Sequence, residues 1–179
     1  MLGALAKGKT AVFIDAANIF YSQKTLRWRI DFKKLASYLQ KELSIAGIYY
    51  YTGLVGAFER QRAFISKLES LGYYVTSKEV KFIKVAGAPD IPKGNLDVEL
   101  ALDAFRFQDD FETIILFSGD SDFAYLLDLL KQAGKRVIVV SMRGHVSREL
   151  LERAKYVPLP KLRSFIEKFK EPDEPAPEV

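Results

Sequence analysis

Residues 113–123 read Thr113-Ile114-Ile115-Leu116-Phe117-Ser118-Gly119-Asp120-Ser121-Asp122-Phe123. The first five are apolar or β-branched, with no polar alternation. That pattern predicts a strand buried on both faces, as in a parallel sheet covered by helices on each side. The strand stops at a serine and a glycine, and two aspartates follow at once. Two other runs repeat the theme. Thr10–Asp15, TAVFID, is apolar and ends in an acid, and Arg136–Ser141, RVIVVS, is again continuous.

Between these runs lie helical patterns. Asp31 is placed to cap FKKLASYLQKEL, where Leu35, Leu39 and Leu43 recur every fourth residue. Residues 46–55 contain IYYYTGLV and predict a second strand. Residues 58–71 carry Phe58, Phe64, Ile65, Leu68 and Leu71 on one stripe, stopped by Gly72. One or two short strands are expected over 73–85, and a proline-bearing loop over 86–94. A helix is expected over 96–107 with Asn95 as its cap, another over 122–133 ended by Gly134, and two more over 147–154 and 161–169. Strands alternating with helices imply an α/β sandwich with a mainly parallel sheet. Ligands in such folds sit beyond the carboxyl ends of the strands, so the residues just after each strand should carry the chemistry.

Those residues are acids. Asp15 ends the first strand, and Asp120 and Asp122 follow the strand at 113–117. Asp97 sits in Lys93-Gly94-Asn95-Leu96-Asp97, where the loop enters a helix. In a parallel sheet Asp15 and Asp120 emerge on one edge, and Asp97 can join them. Converging carboxylates repel one another, and a divalent cation relieves the repulsion. Carboxylate oxygens without His or Cys favour Mg²⁺ or Mn²⁺ over zinc. A plainer reading stands beside this one: each acid could merely cap the helix that follows it. Gly119 between strand and acid allows close backbone approach to a ligand. Asp103, six residues beyond Asp97, lies roughly 120° around a helix. It either reaches the rim of the site or pairs with Arg106.

Composition narrows the chemistry. The 179 residues include no cysteine and one histidine, His145. Disulfides, thiolate zinc sites, iron–sulfur clusters, cysteine nucleophiles and paired-histidine mechanisms are excluded. No glycine-rich dinucleotide turn follows the first strand, no P-loop is present, and no glycine-flanked serine suits a hydrolase triad. No apolar run approaches the roughly 20 residues of a membrane span. The start, MLGALAKGKT, has too short an apolar stretch for a signal peptide, so a cytoplasmic location is expected. The net charge of +4 is uneven. Residues 171–179, EPDEPAPEV, hold four acids, three prolines and no base, a composition expected to be disordered. The remainder, expected to form one domain over 1–170, has 27 bases against 19 acids. That excess points to an anionic partner, or only to solubility.

FIDAANI, KGNLDVELALDA and LFSGDSDFAYLLDLLKQAGKRVIVV resemble, in order, the three signature segments of NYN domains of the LabA-like type. These belong to the PIN-like superfamily of metal-dependent nucleases. The resemblance runs from about Thr10 to about Val157. It implies a Rossmann-like α/β/α sandwich, an acidic pocket for Mg²⁺ or Mn²⁺, and a ribonuclease-like activity on RNA. By matching motifs, the family's acids fall on Asp15, Asp97, Asp103, Asp120 and Asp122, with Asn18 as a nearby polar partner and Lys93 preceding the second segment. The family more often has one hydrophobic residue between that glycine and its acid, where Asn95-Leu96 stand here. The Asp-Ser-Asp sequence also resembles the aspartate-nucleophile motif of phosphatases. There, however, the pair follows the first strand and precedes a threonine.

In this reading Asn18 and Ser118 orient water or a carboxylate, and Lys93 contacts a phosphate. A basic approach for RNA is sought in Arg27-Trp28-Arg29, Arg60 with Arg62, Lys78-Lys81-Lys84, and Arg143 with Arg148. Trp28 either stacks a base or packs in the core with its arginines in water. The Tyr49-Tyr50-Tyr51 run is expected to be core. A non-catalytic RNA- or protein-binding module on the same fold is the competing function, and a homodimer is a further expectation.

Overall fold

The structure, a computed structural model, describes residues 1–56, 59–84 and 91–169, without the side chains of 82, 83 and 91–93. The chain runs β1 (Lys9–Asp15), α1 (Ala16–Leu26), α2 (Phe32–Glu42), β2 (Ser44–Leu54), α3 (Glu59–Ser70), β3 (Tyr74–Glu79), β4 (Lys81–Ile83), β5 (Ile91–Lys93), α4 (Asp97–Arg106), β6 (Thr113–Phe117), α5 (Ala124–Gln132), β7 (Arg136–Ser141), α6 (Arg148–Arg153), β8 (Lys155–Pro158) and α7 (Arg163–Ile166). Six strands form one parallel sheet in the order β3-β2-β1-β6-β7-β8. Strands β4 and β5 form a separate antiparallel pair. The α/β sandwich expected from the continuous apolar runs is therefore the fold.

Alternation along the strands divides the core into two layers. Val12, Ile14, Ile115, Phe117, Ile138 and Val140 face a cluster completed by Ile19 of α1, Leu35 and Leu39 of α2, Leu68 of α3 and Ile166 of α7. Ala11, Phe13, Ile114, Leu116, Val137 and Val139 face the other way, against Leu100 of α4, Leu127 and Leu130 of α5 and Leu150 of α6. All five residues of β6 are buried. The tyrosine run obeys the same rule: Tyr50 joins one cluster and Tyr51 the other. Tyr49 stacks on Phe13 with ring centroids 4.7 Å apart.

The strand order places the site. From β1 the chain moves outward through β2 to β3, then returns to the other side of β1 with β6 and continues to β7 and β8. The direction of winding reverses between β1 and β6. There the loops above adjacent strands diverge and leave a crevice. Asp15 ends one of those strands, and Ser118 follows the other.

Several boundaries differ from the sequence reading. Helix α1 had no clear apolar periodicity, and it forms because Asp15 caps it: its Oδ1 accepts from the Ala17 and Asn18 N–H groups at 3.0 and 3.2 Å. Strand β5 occupies the end of the stretch read as a loop, and its pairing with β4 supplies the order. Strand β8, between the last helices, was hidden in a four-residue run, Lys155–Pro158, that gains strand character by pairing with β7. The helix expected over 161–169 is shorter. A 3₁₀ turn over Leu159–Leu162 precedes α7, which ends at Ile166. Asp31 caps α2 as expected, accepting from the Lys33 and Lys34 N–H groups. Phe58 and residues 86–90 of the expected loop lie outside the described residues, as do 171–179. No helix among the described residues is long and apolar enough to cross a membrane.

Candidate metal centre

Ser118 is the link between β1 and β6 at the crevice. It is fully buried, and its hydroxyl donates to Asp15 Oδ2 at 2.9 Å while accepting from the Asp120 N–H at 3.2 Å. Asp15 is 9% exposed and satisfied on both oxygens, one by the start of α1 and one by Ser118. Burial still pushes its carboxyl above the usual range, and the Asp120 charge adds to that. The Asn18 and Ala17 N–H groups and the Ser118 hydroxyl pull the other way. Asp120 in turn caps the 3₁₀ turn Ser121–Phe123, accepting from the Asp122 N–H at 3.0 Å. Capping and clustering, posed as alternatives from the sequence, coincide in Asp120, whereas Asp15 caps without joining the tightest cluster.

Gly119 holds this loop against the one after β7. A Cβ at Gly119 would lie 1.9 Å from the His145 carbonyl oxygen, a backbone atom that cannot step aside. The Ser147 N–H also donates to the Gly119 carbonyl at 2.9 Å. No side chain fits, so the glycine is set by packing of two strand-end loops rather than by ligand approach alone.

Across the crevice, α4 begins with Asp97. The cap expected from Asn95 is not formed; Leu96 occupies that position without a side-chain bond. Instead the Asn95 amide donates to Asp97 Oδ2 at 2.6 Å. Asp97, Asp120 and Asp122 each present a carboxylate oxygen within 4.8 Å of the others. Asp15 lies outside this tightest set but within its field. Asp97 feels all of them: burial first, then the charges of Asp15, Asp120 and Asp122, push its carboxyl up to about 6, against the pull of Asn95. Three hard oxygen donors with no nitrogen or sulfur among them fit a divalent cation of the Mg²⁺ or Mn²⁺ kind.

The other sequence-derived candidates divide. Asn18 is half-buried at the rim, and its Oδ1 accepts from the Ser141 hydroxyl at 3.2 Å. Asp103 neither joins the acids nor bonds Arg106; it accepts from the Tyr51 hydroxyl at 2.9 Å. Burial and that acceptor hold the Tyr51 phenol well above its ordinary value. Trp28 is corrected as a stacking platform: it is 6% exposed and belongs to the core, where its ring also meets Arg163. Arg27 is exposed and ends α1 in a left-handed conformation, φ 56°. Arg143 is exposed in the loop after β7. Lys78 is engaged by Glu99 at 2.7 Å, and Arg148 by Glu152 at 2.7 Å. Lys93 ends β5 opposite Lys81, and its side chain lies outside the described part of the chain. The sequence reading missed Ser141, although it ends β7 as Ser118 follows β6. His145, the single histidine, lies half-buried in the loop after β7, where its Nε2 meets Thr25 Oγ1 at 3.2 Å and ties that loop to α1.

A parallel sheet with carboxylates gathered at its winding reversal defines an α/β sandwich of the PIN-like class with an acidic strand-end site. The model of the NYN domain matches residues 9–160, and the chain belongs to that family, in its LabA-like branch. It is 35% identical over 175 residues to the low amplitude and bright protein LabA of Synechococcus elongatus, covering 95% of this chain and 94% of that one. An uncharacterised protein of Methanocaldococcus jannaschii is 33% identical over 90 residues, which are 49% of this chain and 38% of that one. A crystal structure of a Vibrio parahaemolyticus protein of unknown function superposes with a TM-score of 0.72 at 25% identity, over 90% of this chain and 97% of that one.

Proposed function

We propose that the protein is a metal-dependent nuclease that hydrolyses RNA phosphodiester bonds, with Mg²⁺ or Mn²⁺ held by Asp97, Asp120 and Asp122. The observation that carries this reading is the approach of those three carboxylates to within 4.8 Å at the winding reversal of the sheet. Their mutual repulsion, with burial, is recorded in the raised Asp97 carboxyl. A cation bound there supplies Lewis acidity toward a phosphate and lowers the pKa of a bound water. The chain's own groups do the rest. Asp15, fixed by the α1 N–H groups and Ser118, adds negative potential beneath the acids and holds the β6 loop in register. Asn18, steadied by Ser141, presents an amide at the rim that can orient water or substrate. Asn95 fixes the rotamer of Asp97. Arg27 and Arg143, both exposed, provide cations for the RNA backbone. With one histidine, tied to Thr25, imidazole acid–base catalysis has no pair to work with.

The test is Mn²⁺-dependent cleavage of single-stranded RNA by the purified chain, with Asp15→Asn and Asp120→Asn as controls. Cleavage lost in both variants and in EDTA supports the reading. If the wild-type chain binds RNA but leaves it intact, a non-catalytic binding module on this fold is the correct assignment.

A further inference from the structure

Helix α4 turns two faces to two different environments. Leu100 and Ala104 face the core. On the opposite side Val98 is 66% exposed, Leu102 64% and Phe105 44%. The spacing of these three, four residues and then three, makes one continuous stripe along the helix. A solvent-facing helix surface of a soluble domain is ordinarily polar, so this stripe is out of place in water. The adjacent α5 adds Tyr125, 72% exposed.

We propose that this face binds a second copy of the chain, with the two α4 helices antiparallel about a two-fold axis near Leu102. Three features select a copy of this chain as the occupant. First, the stripe is centred on the helix, so reversing the partner sets Val98 opposite Phe105 and Leu102 beside its own mate. Isologous interfaces demand this self-complementarity. Second, the charges are polar along the helix. Asp97 and Glu99 lie in the first turn and Arg106 in the last. Antiparallel pairing brings the basic end of one helix to the acidic end of the other, and aligns the helix dipoles favourably. Third, the area suffices. The four apolar side chains together expose on the order of 500 Å² per chain, or about 1,000 Å² for the pair, the lower bound of a specific interface. Ala101, small and at the edge of the stripe, permits close approach of the axes, at about 8–10 Å.

The chain has no cysteine, so introduced thiols report on the interface without background. At about 50 µM, sedimentation equilibrium should give twice the chain mass of 20.3 kDa, and Leu102→Lys should weaken association at least about tenfold. Under mild oxidation Leu102→Cys should link to itself. Val98→Cys should link to Phe105→Cys when the two variants are mixed, but not to itself. A monomer at that concentration overturns the proposal. So does a dimer indifferent to Leu102→Lys, or self-linking of Val98→Cys, which would mean parallel helices. Leu102 is exposed, so unchanged circular dichroism of the lysine variant separates lost association from lost folding.

Discussion

Replacing Asp97 with asparagine removes a charge that three neighbouring carboxylates oppose. The side chain keeps its shape, and its oxygen can still accept from the Asn95 amide. In the folded chain the Asp97 carboxyl is raised from 3.8 to about 6, so folding tightens its hold on a proton. The stability this contributes is complete below pH 4 and is lost as pH rises to about 6. At neutral pH the ionised group therefore works against the fold. Full conversion of the shift gives about 3 kcal/mol, and the side chain is only half-buried, so solvent screening reduces this to about 1.5 kcal/mol. For a chain of 179 residues that corresponds to a gain of about 3–6 °C in Tm for Asp97→Asn at pH 7 in EDTA. Near pH 4 the gain should shrink toward zero. Adding Mn²⁺ should reverse the order, because binding to the folded state stabilises the wild type and not the variant. Thermal melts by circular dichroism at both pH values, with and without Mn²⁺, make the measurement. A variant that melts at or below the wild type at pH 7 in EDTA refutes the electrostatic reasoning. Equal stabilisation of both proteins by Mn²⁺ refutes the placement of the ion.

Three further outcomes follow from the same geometry. Gly119→Ala drives a Cβ into the His145 carbonyl and should cost at least about 2 kcal/mol by urea unfolding, with the strand-end loops separating. Ser118→Ala strips Asp15 Oδ2 and the Asp120 N–H of their shared partner; a loss of about 1–3 kcal/mol is expected, and Ser118→Thr should recover part of it if space above β6 allows. Burial holds the phenols of Tyr50, Tyr51 and Tyr73 well above their ordinary value of 10.0. Their contribution to stability is whole below pH 10 and falls as pH rises beyond it, so a spectrophotometric titration should leave these three unionised until the chain unfolds.

How much of this was legible in the sequence depended on whether the cause was local. The strands at Thr10–Asp15, Thr113–Phe117 and Arg136–Ser141 could be read because both faces are buried, which writes an unbroken apolar run. Strand β8 could not, because Lys155–Pro158 is ordered by its pairing with β7 rather than by its own residues. The acids could be read because parallel strands deliver their ends to one edge. The finer grouping could not: only the fold shows Asp122 beside Asp97 and sets Asp15 one step deeper, bonded to Ser118. Asp103 was ambiguous from spacing alone, and a residue 52 positions away in the chain, Tyr51, decided its partner. Trp28 between two arginines resembled a base-stacking element, but it is buried in the core cluster with Arg163 of α7 near its ring.

The central claim is that Asp97, Asp120 and Asp122 form a divalent-cation site. Crystals grown with Mn²⁺ and measured near the manganese absorption edge test it most directly. The account predicts an anomalous peak coordinated by carboxylate oxygens of those three residues, absent from crystals of Asp120→Asn. Bound manganese elsewhere with this cluster empty at saturating Mn²⁺, or a peak that persists in Asp120→Asn, would contradict it.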